Sequence, residues 1–285
     1  MSKIVRNGFE FYTGLNNKED FSFSGINSEA EIKYLKENRI SSIVLESSIA
    51  THLGNLSFLK NLEFIEEIWL GNIGISDYSG IYHLKNLKRL TISFEKELPL
   101  LDYSVFKNLN YLSIDWHSKF PDLSQNYKLK ELIIWKFRPK SKSFTSIKLP
   151  ESLENLEITE SNLLNLEGLF LPNLKKFEGH YCNYLESLNG IQNFKQSLET
   201  LILDYCKKTK DYKYLEECKK LKKLILGNCG EIENLTWLKN LKNITHFSFY
   251  ETKLIDGDTS PCFGIEYVSF KNRKYYNHKE EEFKN

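Results

Sequence analysis

Glu157 and Glu178 stand 21 residues apart, His180 follows the second by two, and Cys182 follows His180 by two. Paired carboxylates could hydrolyse a glycosidic bond, and a histidine between an acid and a thiol could activate a nucleophile. Neither chemistry is completed. The six histidines fall in six different segments, no cysteine pair has zinc-ligand spacing, no glycine-rich phosphate loop follows a strand, and no GxSxG occurs. The expectation is no catalytic residue, no metal and no cofactor, which leaves binding as the chemistry to look for.

The elements that position these residues are legible as a repeat. The stretch Leu221-Lys-Lys-Leu224-Ile-Leu226-Gly-Asn-Cys229 returns, reworded, along most of the chain. Aligned on its middle apolar residue, the copies fall at Ile43, Ile68, Leu90, Leu112, Leu132, Leu156, Phe177, Leu201, Leu224, Phe247 and Val268, 20 to 25 residues apart. An apolar residue stands three before each, from Ile40 to Ile265, and another two after each, from Leu45 to Phe270, with Gly179 the single break. Alternation of this kind needs an extended strand that sends every second side chain inward.

This pattern resembles the leucine-rich repeat family, whose short repeat reads LxxLxLxx(N/C)xL, and the repeat length is similar to that of internalin-like bacterial members. The resemblance implies an α/β solenoid with about eleven parallel strands on a concave face, joined by short helical, 3₁₀ or extended convex segments. The expected organisation is an N-terminal cap over residues 1–39, a solenoid over 40–270 and a C-terminal cap over 271–285. Within the first, Ser28-Glu-Ala-Glu31 has capping-box spacing, which predicts a short helix over residues 28–38, with Gly14 and Gly25 marking turns. Apolar residues at intervals of three, as in Leu185, Leu188, Ile191 and Phe194, predict 3₁₀ turns. Segments 94–99 and 137–150 hold prolines and should be extended or irregular. Tyr275 and Tyr276 could cover the last repeat. This ending is similar to that of small bacterial leucine-rich repeat proteins, some of which are immunity partners of polymorphic toxins.

In such strands the residues beside and between the inner ones face water, where most family members hold their partners. That face collects Trp69, Phe94, Tyr111, Trp116, Trp135, Tyr181, Tyr205 and Tyr250, so three of the four tryptophans share it, while Trp237 is assigned to the convex core. A water-facing sheet has no folding reason to carry such side chains, whereas interface cores are enriched in them; the competing reading is cross-strand pairing that stabilises the strands. Acids gather there too: Asp115, Glu131, Glu157, Glu160, Glu178 and Asp204 against Lys136 and Lys176, with His180 among them. A negative centre studded with aromatics suits a basic partner; a solvated face is the alternative.

Charge over the whole chain is balanced, 39 basic residues against 38 acidic, so any nucleic-acid or membrane preference must be local. Two basic runs, 136–148 and 207–223, read as solvated loop surface, with a phosphate-binding edge as the functional alternative. The N-terminal residues lack an apolar leader and no long apolar run occurs, which predicts a soluble cytoplasmic protein. Cys182, Cys206 and Cys229 occupy the Asn/Cys turn slot, and the odd total of five favours free thiols. The expected function is protein binding without catalysis. Its narrowest form is an immunity protein that neutralises a basic toxin domain; a scaffold or adaptor for another protein is the alternative, and nucleic acid along the lysine-rich edge comes third.

Overall fold

The computed structural model describes residues 2–13, 18–48, 50, 53–75, 77–93 and 101–283. It divides into two compact units, Met1–Lys130 and Glu131–Asn285.

The first unit opens with strands β1 (Ser2–Arg6), β2 (Phe9–Thr13) and β3 (Glu19–Ser22), then helix α1 (Ser28–Glu37), then β4 (Ser42–Glu46), β5 (Glu67–Gly71), β6 (Arg89–Ser93) and β7 (Tyr111–Asp115). β1, β2 and β3 pair antiparallel, and from β3 onward every described pairing in the unit is parallel. The repeat alignment does not foresee these first three strands, although the sequence carries their signals. Asn7-Gly8 is the strongest short hairpin cue, and both residues have the positive φ that such a turn needs (51° and 82°). Phe9 and Phe11, like Phe21 and Phe23, alternate at strand period. Phe9 and Phe11 pack against Phe21, at ring-centroid distances of 5.6 and 5.4 Å, and against Tyr34 of α1.

Helix α1 starts where expected, but its cap differs. Asn27, not Ser28, is the N-cap, its side chain accepting from the Ala30 amide. Glu31 is buried, and its carboxylate accepts from the Ser24 amide (2.7 Å), the Ser24 hydroxyl (2.9 Å) and the Gly25 amide (3.0 Å). The acid therefore ties down the chain before the helix instead of closing a capping box.

The second unit contains β8 (Glu131–Trp135), β9 (Asn155–Thr159), β10 (Lys176–His180), β11 (Thr200–Asp204), β12 (Lys223–Gly227), β13 (His246–Ser248) and β14 (Tyr267–Ser269), each parallel to the next. The residues aligned in the sequence are the ones in register: Leu132, Leu156, Phe177, Leu201, Leu224, Phe247 and Val268 form one row here, and Ile43, Ile68, Leu90 and Leu112 form one in the first unit. All are buried, each worth roughly 1.5–3 kcal/mol of transfer free energy. Spacing by three yields the expected 3₁₀ turns, among them Ser57–Asn61, Ile191–Asn193 and Thr236–Asn240, the last carrying buried Trp237. Residues 137–150 are irregular; segment 94–99, Gly14 and the candidate residue Phe94 lie outside the described residues.

Gly179 has a packing reason. A Cβ there would sit 3.1 Å from Leu203 Cδ2, 3.6 Å from Cys182 Sγ and 3.8 Å from the Phe177 ring. The large Phe177 side chain, fully buried, occupies room that a leucine at 179 would need. Tyr181, two residues further on, is exposed and does not fill the row.

In the turn slot, Ser161 Oγ donates to Phe137 O (2.7 Å), Cys206 Sγ to Gly179 O (3.4 Å), Cys229 Sγ to Leu203 O (3.3 Å) and Thr252 Oγ1 to Leu226 O (2.6 Å). Each satisfies a carbonyl of the preceding repeat. All five cysteines are free. At the C-terminal end Tyr276 is buried against Phe249 and Phe270, and its hydroxyl accepts from the Leu254 amide (2.9 Å), while half-exposed Tyr275 donates to the Leu254 carbonyl. No helix among the described residues is long and apolar enough to cross a membrane.

Candidate functional site

On the open face of the second unit, Lys176, Glu178 and His180 project from alternate positions of β10, the same side of one strand. Lys176 Nζ pairs with Glu178 Oε1, and His180 Nε2 lies 3.1 Å from Glu178 Oε2. Glu157 stands directly opposite Glu178 in register on β9, a like-charge cross-strand pair. The outcome for the two acids is opposite. The His180 hydrogen bond, followed by Lys176, holds Glu178 down to about 2 against the pull of burial. Burial first, and the Glu178 charge second, push Glu157 above the ordinary carboxylate range. His180 is raised in turn by its hydrogen bond to Glu178. Of the acids on these strands, Glu178 is therefore neutralised internally, while for half-buried Glu157 the attraction of His180 and Lys176 is outweighed by burial and the Glu178 charge.

Around this cluster Trp135 closes β8 at 42 % exposure. Asp204, half-buried, accepts from the Asn228 side chain (3.4 Å); a Cβ on Gly227 would meet its carboxylate oxygen at 2.7 Å, so the glycine makes room for it. Tyr250 is exposed just beyond β13.

Glu160, Tyr181 and Tyr205 do not lie on the sheet. They occupy the first position past β9, β10 and β11, where the chain turns with positive φ: 47°, 54° and 54°. Asn72, Lys136, Asn228 and Glu251 take the same conformation at the same position of other repeats. In the second unit their amides reach the next strand's carbonyl, as Tyr181 N to Asp204 O and Tyr205 N to Gly227 O, both 2.9 Å. The backbone thus dictates the left-handed region there. Asparagine tolerates it, whereas an ordinary side chain costs roughly 1–2 kcal/mol. Tyr181 and Tyr205 stack at 4.8 Å and 13°.

On the face of the first unit, Arg89 lies over the Tyr111 ring with its guanidinium carbon 3.6 Å from the centroid, a cation–π contact, and Glu67 takes Arg89 and Lys18. Trp69 and Asp115 are half-buried. Trp116 follows β7 and stacks on Phe120 at 5.1 Å, a partner the sequence reading did not name. Val44, read from the alternation as facing water, is buried; Ser22 and Trp69 flank it in register. The sequence-selected residues therefore fall into separate sets: Trp69, Tyr111, Asp115 and Trp116 in the first unit, and Trp135, Glu157, Glu160, Glu178, His180, Tyr181, Asp204, Tyr205 and Tyr250 in the second.

Comparison with solved structures addresses the architecture. The leucine-rich repeat domain of the type III effector XopL aligns over 78 % of this chain and 81 % of its own, at TM-score 0.50 and 17 % identity. This chain has the leucine-rich repeat fold. Internalin C2 of Listeria monocytogenes aligns over 74 % of this chain and 83 % of its own, at TM-score 0.43 and 18 % identity. No protein-family model and no curated protein matches the sequence.

Within this leucine-rich repeat the acid–histidine pair is partly buried, and the thiol that follows it in sequence is Cys182. The Cys182 thiol is buried, donates to backbone carbonyls, and is pushed up by its hydrogen bond to Cys206 and by burial, the opposite of activation. No group of three or more His, Cys, Asp or Glu among the described residues could hold a metal ion. What the arrangement does offer is an ionic and aromatic surface with a carboxylate whose charge is poorly compensated.

Proposed function

We propose that this chain is a protein-binding leucine-rich repeat whose partner brings a cationic side chain to the open face of the second unit. The observation that carries this reading is Glu157. It is half-buried and stands opposite Glu178 in register, and burial together with that neighbouring charge raises it above the ordinary carboxylate range, so its ionisation carries a cost that folding does not use. A lysine or arginine from a partner would relieve that cost, and Trp135 beside the same strands supplies an aromatic anchor of the kind that dominates interface energetics. The face thereby favours a basic protein and its rapid capture.

The narrower form is an immunity protein that neutralises a basic toxin domain by covering it; nucleases are basic because their substrate is anionic. A scaffold or adaptor for another basic protein uses the same face. Co-expression with the products of adjacent genes, followed by mass spectrometry of what co-purifies, distinguishes the two by the identity of the captured protein. For the protein so identified, Glu157→Gln and Trp135→Ala are each expected to weaken binding tenfold or more, about 1.4 kcal/mol. Unchanged affinity in both variants would dismiss this face as the binding surface.

A further inference from the structure

The turns that follow β8 to β11 form a second surface with the opposite character. A groove of about 640 Å³ opens there, lined among others by Arg138, Lys142, Glu160, Asn162, Tyr181 and Tyr184. Residues 136–142 carry three lysines and one arginine with no acid, and residues 207–210 carry three lysines with no acid. All seven cations are exposed. The two clusters meet at the groove, where Lys208 Nζ lies 5.1 Å from the centroid of the Tyr184 ring. The groove lining includes one acid, Glu160, which sits 3.9 Å from Arg138.

Three tyrosines stand among these cations. Tyr181 and Tyr184 are about half exposed, at 49 % and 52 %, and Tyr205 stacks flat on Tyr181. Folding gives no account of this placement. The left-handed turn is filled by Asn72 and Asn228 in two other repeats and by Lys136, Glu160 and Glu251 in three more, so its backbone asks for no aromatic. A stacked tyrosine pair, with Tyr181 half exposed, beside a cationic groove and at a turn that amide or charged side chains fill elsewhere, points to a ligand with flat rings and negative charge.

We propose that this edge of the second unit binds single-stranded nucleic acid, its bases stacking on Tyr181, Tyr205 and Tyr184 and its phosphates running past Arg138, Lys142 and Lys208. Aromatic platforms inside a basic groove are how single strands are held without sequence readout, and a duplex, whose bases are already stacked, cannot use the tyrosines. The edge is distinct from the acidic open face and does not depend on the partner proposed for it. An acidic protein segment would match the charge but gives no use for a stacked tyrosine pair, so the single strand is favoured.

The test is fluorescence anisotropy with labelled oligouridylate and oligothymidylate of about a dozen nucleotides. The wild-type chain should bind both, more tightly than a duplex of equal length, and should lose affinity steeply between about 50 and 200 mM salt. The double variant Tyr181→Asn, Tyr205→Asn installs the residue that already serves this turn at two other repeats, so it keeps the fold, as circular dichroism will verify. It should bind at least tenfold more weakly with the salt slope preserved. Arg138→Gln with Lys142→Gln should weaken binding and flatten the salt slope, and Glu160→Gln should tighten it. The proposal is overturned by absence of binding at low salt, by equal affinity for the duplex, or by a tyrosine variant that binds as well as wild type. It is also overturned if polyglutamate competes as well as the oligonucleotide at equal charge, which would assign the edge to an acidic protein.

Discussion

Single side chains in this protein carry opposed tasks within one strand. Glu178 lies low, to about 2, because His180 and Lys176 hold it, and the stability it adds is full above the ordinary carboxylate range and is lost progressively as pH falls from there to about 2. His180 is raised above 6.5, so its contribution is full below that value and is lost as pH rises through its folded pKa. Glu157 is raised as well, but for a carboxylate this means that ionisation weakens the fold. Glu157→Gln should therefore stabilise the chain at pH 7 by roughly 0.2–1 kcal/mol, and the gain should vanish below about pH 4, where the acid is protonated. Urea denaturation across pH decides this, and a stability loss at pH 7 would refute it. The same change is expected to weaken partner binding, so stability and function move in opposite directions. At Gly179 the argument is steric. Gly179→Leu, which would restore the repeat's apolar residue, should cost about 1–3 kcal/mol through overpacking against Leu203 and Phe177, readable as a lower denaturation midpoint.

At the scale of elements, the repeat was legible because a strand with two inward residues must alternate, and a stack must hold its register; the alignment on Leu132, Leu156 and Phe177 is the register itself. The N-terminal strands were not read because nothing in them repeats, although Asn7-Gly8 announced their turn. The helix was found, but its acid was assigned the wrong partners, since the capping-box pattern cannot tell a reciprocal cap from a carboxylate that reaches back to Ser24 and Gly25. That difference is measurable. Glu31→Ala should cost about 2–3 kcal/mol, the scale of losing charge-assisted bonds and stranding buried amides, whereas a solvent-exposed capping partner would cost less. For the site, the outward columns were legible, but two of their properties were not. The Lys176-x-Glu178-x-His180 spacing already placed three charges on one face of a strand, yet counting acids against bases hid their mutual neutralisation. And no residue type signals that the position after the strand is left-handed when tyrosine fills it.

Across the whole chain, a formal net charge of +1 conceals segregation within the second unit, where carboxylates gather on the open face and cations along the turns beside it. A partner for either surface would be recognised by local potential, which falls off within about 8–10 Å at ordinary ionic strength, so two ligands of opposite sign could be held by one molecule without interfering. The sealed cysteines bring a different consequence. Cys182, Cys206, Cys218 and Cys262 are shut away from solvent at different points along the stack, and burial pushes Cys218 and Cys262 up to about 12, which keeps them unreactive. A bulky maleimide can therefore reach a given sulfur only when its own rung comes loose, and the sequence in which mass tags accumulate would record where this protein begins to unzip.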